Sequence, residues 1–291
     1  MTFSEGGSFE GGRVRTRRGG KAAAGGLGLG VVAFLIYQFT GVDVGPALEG
    51  LQGAGGGGGE VGEVAECTVE EANANRECRL SATLQSLDVF WGETVAAAGT
   101  DFVQPGAESF EGATTTGCGQ ASSSTGPFYC PADQFIFMDV GFFDLLQSRF
   151  GASGGPLAEM YVTAHEYGHH IQNITGLMDG IDRQATGPES DGVRLELQAD
   201  CYAGMWARDA ATRIDPDRGV TFLEPITDEQ LADALSAAEA VGDDHIQEQT
   251  SGGVNPDVWT HGSSEQRQSW FVTGYNEGSL AACDTFSTTE L

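Results

Sequence analysis

Lysine is all but missing. Lys21 is the one lysine in 291 residues, and arginine brings the basic total to only 14 against 42 Asp and Glu, a formal net charge of −28. The shortage is also positional: Arg13, Arg15, Arg17, Arg18 and Lys21 precede position 42 with only Glu5 and Glu10 opposing them, leaving nine basic and 40 acidic residues in everything after. A nucleic-acid ligand needs a basic footprint to replace phosphate counterions, so a body this acidic excludes DNA and RNA as main partners. The six cysteines contain no C-x-x-C pair, which excludes a zinc knuckle and a thioredoxin-like redox motif. No internal repeat of fixed period occurs, and 40% hydrophobic residues over this length support one sizeable domain rather than two.

One long hydrophobic run is present. Residues 22–42 are uncharged and as a helix would span about 31 Å at about 1.5 Å per residue, one bilayer core. With five basic residues before it and the acidic body after it, positive-inside retention predicts a single-pass transmembrane helix. The cytoplasm then holds a disordered basic tail (1–21), and the body is extracytoplasmic. A cleaved signal peptide and a buried core helix are the competing readings of this stretch. A Gly-rich linker (43–62) and one folded domain (63–287) complete the division.

Cys67, Cys78, Cys118, Cys130, Cys201 and Cys283 are even in number and fit three bridges in an oxidising compartment; six free thiols in a cytosolic protein are the alternative. Six cysteines allow 15 connectivities, among which sequence does not choose. The pairing carried forward as an expectation is Cys67–Cys78, Cys118–Cys130 and Cys201–Cys283.

Hydrophobic periodicity predicts helices over 67–98, 140–149, 156–174, 190–211 and from Thr227 onward, where Thr227 and Gln230 have capping-box spacing. Residues 260–275 have helical potential, 111–126 read as a Gly/Ser/Thr-rich loop, and the aromatic stretch 134–139 reads as a short strand. Its exposed edge is a place where an extended peptide could add by β-augmentation. The fold class is therefore mainly α with a small β-sheet (α+β).

Chemistry concentrates in His165-Glu166-Tyr167-Gly168-His169, inside a long predicted helix. At about 100° per residue His165 and His169 lie about 40° apart on one face, so both imidazoles can reach one Zn²⁺. Glu166 beside them can deprotonate a zinc-bound water for attack on a carbonyl carbon. A catalytic zinc also needs a third protein ligand and an open position. Glu196 and Asp200, one helical turn apart, supply a candidate third ligand and a candidate acceptor for the free ring N–H of a ligand histidine. Gly168 leaves room for another backbone to approach. His170, about 140° from His165, is expected to pack away from the metal, and His245 to be structural. His261, after a loop, is a candidate donor to a developing oxyanion. Arg267 is expected to hold a buried carboxylate or bind a substrate carboxylate.

The segments HEYGHHIQ (165–172), ELQADCYAG (196–204), GPFYCPADQFIFMD (126–139), GDDHIQ (242–247) and THGSSEQR (260–267), with the basic N-terminus and apolar run, resemble the bacterial family of neutral zinc metallopeptidases. The similarity spans about residues 65–287. It implies a zincin-like helical core with zinc on His165, His169 and Glu196 and with Glu166 as base. The reading is thus a membrane-anchored extracytoplasmic zinc metallopeptidase acting on a peptide or protein, with the oligomeric state undefined. A non-catalytic metal-binding envelope protein and a zinc hydrolase of a non-peptide amide or ester are the alternatives.

Overall fold

The structure, a computed structural model, describes residues 2–18, 60–122, 125–215 and 218–291. A layer of helices carries most of the core and a five-stranded mixed sheet flanks it. The strands are β1 (Ser8–Phe9), β2 (Arg15–Arg18), β3 (Glu60–Glu63), β4 (Cys67–Thr68), β5 (Gly106–Glu111), β6 (Ala113–Thr116), β7 (Gly119–Ser122), β8 (Phe128–Cys130) and β9 (Phe135–Asp139). The helices are α1 (Val69–Ala74), α2 (Arg76–Ala97), α3 (Phe142–Phe150), α4 (Pro156–Ile174), α5 (Asp191–Ala210), α6 (Asp228–Ala240), α7 (Asp243–Ser251) and α8 (Ser264–Glu277). The large sheet runs β3-β2-β5-β9-β8, with β2, β5 and β9 parallel to one another and the two outer strands antiparallel to their neighbours.

Local chemistry sets the helix ends. Pro156 opens α4 at its first turn, where the missing N–H costs nothing. Ser190 accepts from the Val193 N–H to start α5, and reciprocal capping boxes Thr227/Gln230 and Ser263/Gln266 start α6 and α8. The α4 helix is buried along nearly its whole length because α2, α5, α6 and the sheet surround it. Two close approaches set α4 and α8 against α5. A Cβ on Gly168 would lie 3.1 Å from Ala199 Cα of α5, and one on Gly274 of α8 would lie 1.9 Å from the Cys201 carbonyl oxygen of α5. The three expected disulfides are present, and Cys201–Cys283 ties α5 to the C-terminal segment beside Asp200.

The N-terminus departs from expectation. Residues 2–18 are not a separate tail: β1 pairs with β4, β2 lies inside the large sheet, and Phe3, Phe9 and Val14 are buried in the main core. The arginines read as a positive-inside signal are partners of the acidic body: Arg13 with Asp88 (2.7 Å), Arg17 with Glu108 (2.9 Å), Arg18 with Glu77 (3.1 Å), and Arg15 over the Phe135 ring (5.1 Å). The expected transmembrane helix, 22–42, lies outside the described residues, and among those described no helix is long and apolar enough to cross a membrane. Arg18 stands opposite Glu60 in the β2–β3 ladder, so chain on both sides of that stretch belongs to one folded body. The described residues thus give no support to a tail on one side of a membrane and the body on the other. The linker expected to run to residue 62 already contributes Glu60, Val61 and Gly62 to β3.

Two smaller corrections concern the sheet. Residues 111–126, expected as loop, contain the antiparallel hairpin β6–β7. The strand expected at 134–139 is β9, which is interior between β5 and β8, so the open edge belongs to β8 instead.

Candidate metal centre

Helices α4 and α5 place His165 and His169 opposite Glu196. Nε2 of His165 lies 3.1 Å from Glu196 Oε2, and Nε2 of His169 lies 3.4 Å from Glu196 Oε1. One ligand atom from each of the three falls within 4.8 Å of the others, a spacing that one ion can bridge. Two neutral-capable imidazoles and one carboxylate are the donor set that suits zinc with a position left open.

Both rings are fixed from behind through Nδ1, which leaves Nε2 facing the centre. The Nδ1 of His165 is 2.8 Å from Asp200 Oδ1, and that of His169 is 2.8 Å from Gln172 Oε1. This orientation by an outer acceptor is the arrangement that holds a metal-ligating histidine in one tautomer. Asp200 is fully buried and also accepts from Tyr161 Oη (2.6 Å) and from Arg267 Nε (2.8 Å) and Nη2 (3.0 Å). Gln172 in turn donates to the Leu195 carbonyl (2.8 Å) and to Gln198 Oε1 (3.0 Å).

The charges follow from these contacts. Burial works against ionised Asp200, but Arg267 and His165 outweigh it and hold its carboxyl down at about 2. Burial likewise opposes protonation of His165, but Asp200 and Glu196 push it up to about 10 when only the chain's own groups act. Burial opposes charge on Glu196 too, and the neighbouring His169 and His261 keep it well below the usual carboxylate range.

A cleft of about 370 Å³ opens over these groups, lined among others by Glu166, Tyr161, Phe128, Tyr129, His261 and Arg183. The Glu166 side chain makes no hydrogen bond among the described residues and lines the cleft. His261 reaches the same wall from the loop before α8. Asp243 organises that loop by accepting from the backbone N–H groups of Thr260 (2.7 Å), His261 (2.7 Å) and Gly262 (3.1 Å). His261 Nδ1 sits 2.7 Å from Thr260 Oγ1, and its Nε2 has no partner among the described residues.

The other expected roles sort as follows. His170 is turned away from the centre, between Tyr129 Oη (3.0 Å) and the Val103 carbonyl. His245 bonds the Phe150 carbonyl at 2.9 Å. Arg267 holds a buried carboxylate, that of Asp200. Gln172 and Tyr161 were not singled out by sequence reasoning. The signal for Gln172 is its position three residues past His169, which puts it one turn along the same helix face. Tyr161 stands one turn before His165 in the same way.

Comparison with known proteins gives the family. The family model described as "Putative neutral zinc metallopeptidase" matches residues 2–286. An uncharacterized protein of Mycobacterium tuberculosis (strain ATCC 25618 / H37Rv) is 50% identical over 222 residues, which cover 76% of this chain and 74% of that protein. The uncharacterized protein YpfJ of Escherichia coli (strain K12) is 40% identical over 211 residues, covering 71% of this chain and 70% of YpfJ. No solved structure matches the chain. The match covers nearly the whole chain, which belongs to the neutral zinc metallopeptidase family.

Proposed function

We propose that this protein is a zinc-dependent peptidase working outside the cytoplasm, with His165, His169 and Glu196 as ligands and Glu166 as general base. The observation that carries the reading is the convergence of three ligand atoms with a second carboxylate, that of Glu166, whose side chain has no hydrogen-bond partner among the described residues and which lines the cleft. When bound, zinc supplies a Lewis acid that polarises a carbonyl and lowers the pKa of water to about 7. Glu166 takes the proton of the attacking water and passes it to the leaving nitrogen. His261, which lines the cleft and whose Nε2 has no partner among the described residues, donates to the oxygen on which negative charge develops. Asp200, backed by Arg267 and Tyr161, holds His165 in its metal-facing tautomer.

A peptide is favoured over a small amide or ester by the edge strand β8. Gly126, Pro127, Phe128 and Tyr129 line the cleft, and β8 has β9 on one side and no strand on the other among the described residues. An extended peptide can hydrogen-bond along that edge while its scissile bond lies over the metal ligands. Three disulfides favour an oxidising compartment. Membrane attachment is supported by the uncharged stretch 22–42 alone.

The test compares the full chain with Glu166→Gln on a proteome-derived peptide library, with zinc measured in both. One zinc per chain in each, and new peptide ends from the wild type alone, is the expected result. Equal cleavage by Glu166→Gln removes the base assignment, and zinc without cleavage in either moves the weight to a binding module or a non-peptide hydrolase.

A further inference from the structure

The cleft differs in charge from the body around it. Arg76, Arg79, Arg194, Arg208, Arg213, Arg218 and Arg267 are each committed to carboxylates or backbone carbonyls. Arg149 and Arg183 make no hydrogen bond or ion pair among the described residues, and of these two only Arg183 lines the metal cleft. The carboxylates that line the cleft are Glu166 and Glu196, both assigned above to the metal chemistry. Asp200 and Asp243 lie behind the wall, engaged by Arg267 and by three backbone N–H groups. A divalent ion offsets the two glutamates and leaves the Arg183 guanidinium as the uncommitted charge facing substrate.

Arg183 is also held in place by its loop. The Asp182 N–H donates to Asp191 at the start of α5 (3.1 Å), and the Ala185 N–H closes a turn onto the Asp182 carbonyl (3.1 Å). Thr186 Oγ1 donates to the Asp257 carbonyl (3.0 Å), and the Gly187 N–H to the Trp259 carbonyl (2.8 Å), next to the segment that carries His261. Beneath it, Gly192 lets the loop settle on α5: a Cβ there would meet the Ala185 carbonyl oxygen at 2.9 Å. The guanidinium is exposed and presents a planar fork of donors that matches a carboxylate.

Resting on the peptidase reading, we infer that Arg183 determines specificity, selecting peptides that place a carboxylate close to the scissile bond. The carboxylate is an Asp or Glu side chain or the free C-terminus of the peptide. The acidic body repels such peptides at long range, so the selection is local to the cleft and weakens as salt screens it.

Binding and turnover are measured separately. The zinc-loaded full chain carrying Glu166→Gln is titrated calorimetrically with neutral six-residue peptides. Glu or Gln is scanned through each position, and each peptide is made as both the C-terminal acid and the amide. The acid-bearing member of at least one pair is expected to bind about five- to tenfold tighter. Adding Arg183→Gln is expected to erase that ratio while leaving zinc content and the affinity for the neutral amide peptide unchanged. A ratio confined to side-chain positions identifies an endopeptidase subsite, and one confined to the C-terminal acid identifies a carboxypeptidase. Equal binding within every pair, a ratio that survives Arg183→Gln, or no binding by any peptide overturns the inference. Selective binding combined with no cleavage by the wild type keeps Arg183 as the carboxylate-binding residue of the cleft and sinks the peptidase reading.

Discussion

The two histidines of the centre sit one turn apart on one helix, yet they are held by different chemistry. Behind His165 is a charged, fully buried set in which Asp200 bonds the ring, Arg267 bonds Asp200 through two nitrogens, and Tyr161 closes the group. Behind His169 is a neutral amide, Gln172, itself anchored to the Leu195 carbonyl and Gln198. A buried charge network is costly to break because the partner left behind stays uncompensated, whereas a lost amide leaves neutral groups. The comparison teaches that one side of the site is tied to the fold's stability and the other chiefly to ring orientation.

The largest effect is expected from Asp200→Ala, which strands the Arg267 guanidinium in the interior. A loss of about 3–5 kcal/mol of stability, with zinc affinity down about 100-fold, is expected from denaturant midpoints and metal titration. A cost under 1 kcal/mol would mean that the two histidines are held alike. Gln172→Ala comes next, with zinc affinity down about tenfold for about 1 kcal/mol of stability. Were it to destabilise the chain as much as Asp200→Ala, the contrast would be broken. The smallest effect sharpens the picture from outside the site. Tyr167, between the two ligands in sequence, donates to Asp88 at 2.8 Å on another face of α4, and Asp88 also pairs with Arg13. Tyr167→Phe is expected to cost about 1 kcal/mol and to leave zinc affinity unchanged; a fall in metal affinity would show that the N-terminal segment supports the centre as well.

The site was largely legible because it is helical. Four-residue spacings on helices translate directly into shared faces, so His165 with His169 and Glu196 with Asp200 could be paired from periodicity, and Gly168 was read as a close approach that Ala199 supplies. Strands were harder, since their partners are set by long-range pairing. The segment 15–18 reads as a charged tail until Glu108, Glu77 and the backbone of β5 are known to lie beside it. The hairpin β6–β7 is built of Gly, Ser and Thr and lacks the apolar alternation that announces a strand. The aromatic β9 was found, but whether a strand is central or an edge is not written in its own residues.

The β2–β3 pairing bears on how this protein can be cut and rejoined. A chain begun at residue 60 would lose the strand between β3 and β5, baring two sheet edges and taking the arginine partners from Asp88 and Glu108. Because Arg18 and Glu60 face each other at the end of the ladder, residues 19–59 can instead be excised and the ends joined by a two-residue Asn-Gly turn. A nick anywhere in that span would yield two fragments that stay assembled through β1, β2 and their arginines. The first eighteen residues are thus expected to bind in trans to a chain begun at residue 60, which co-purification of the two pieces would check.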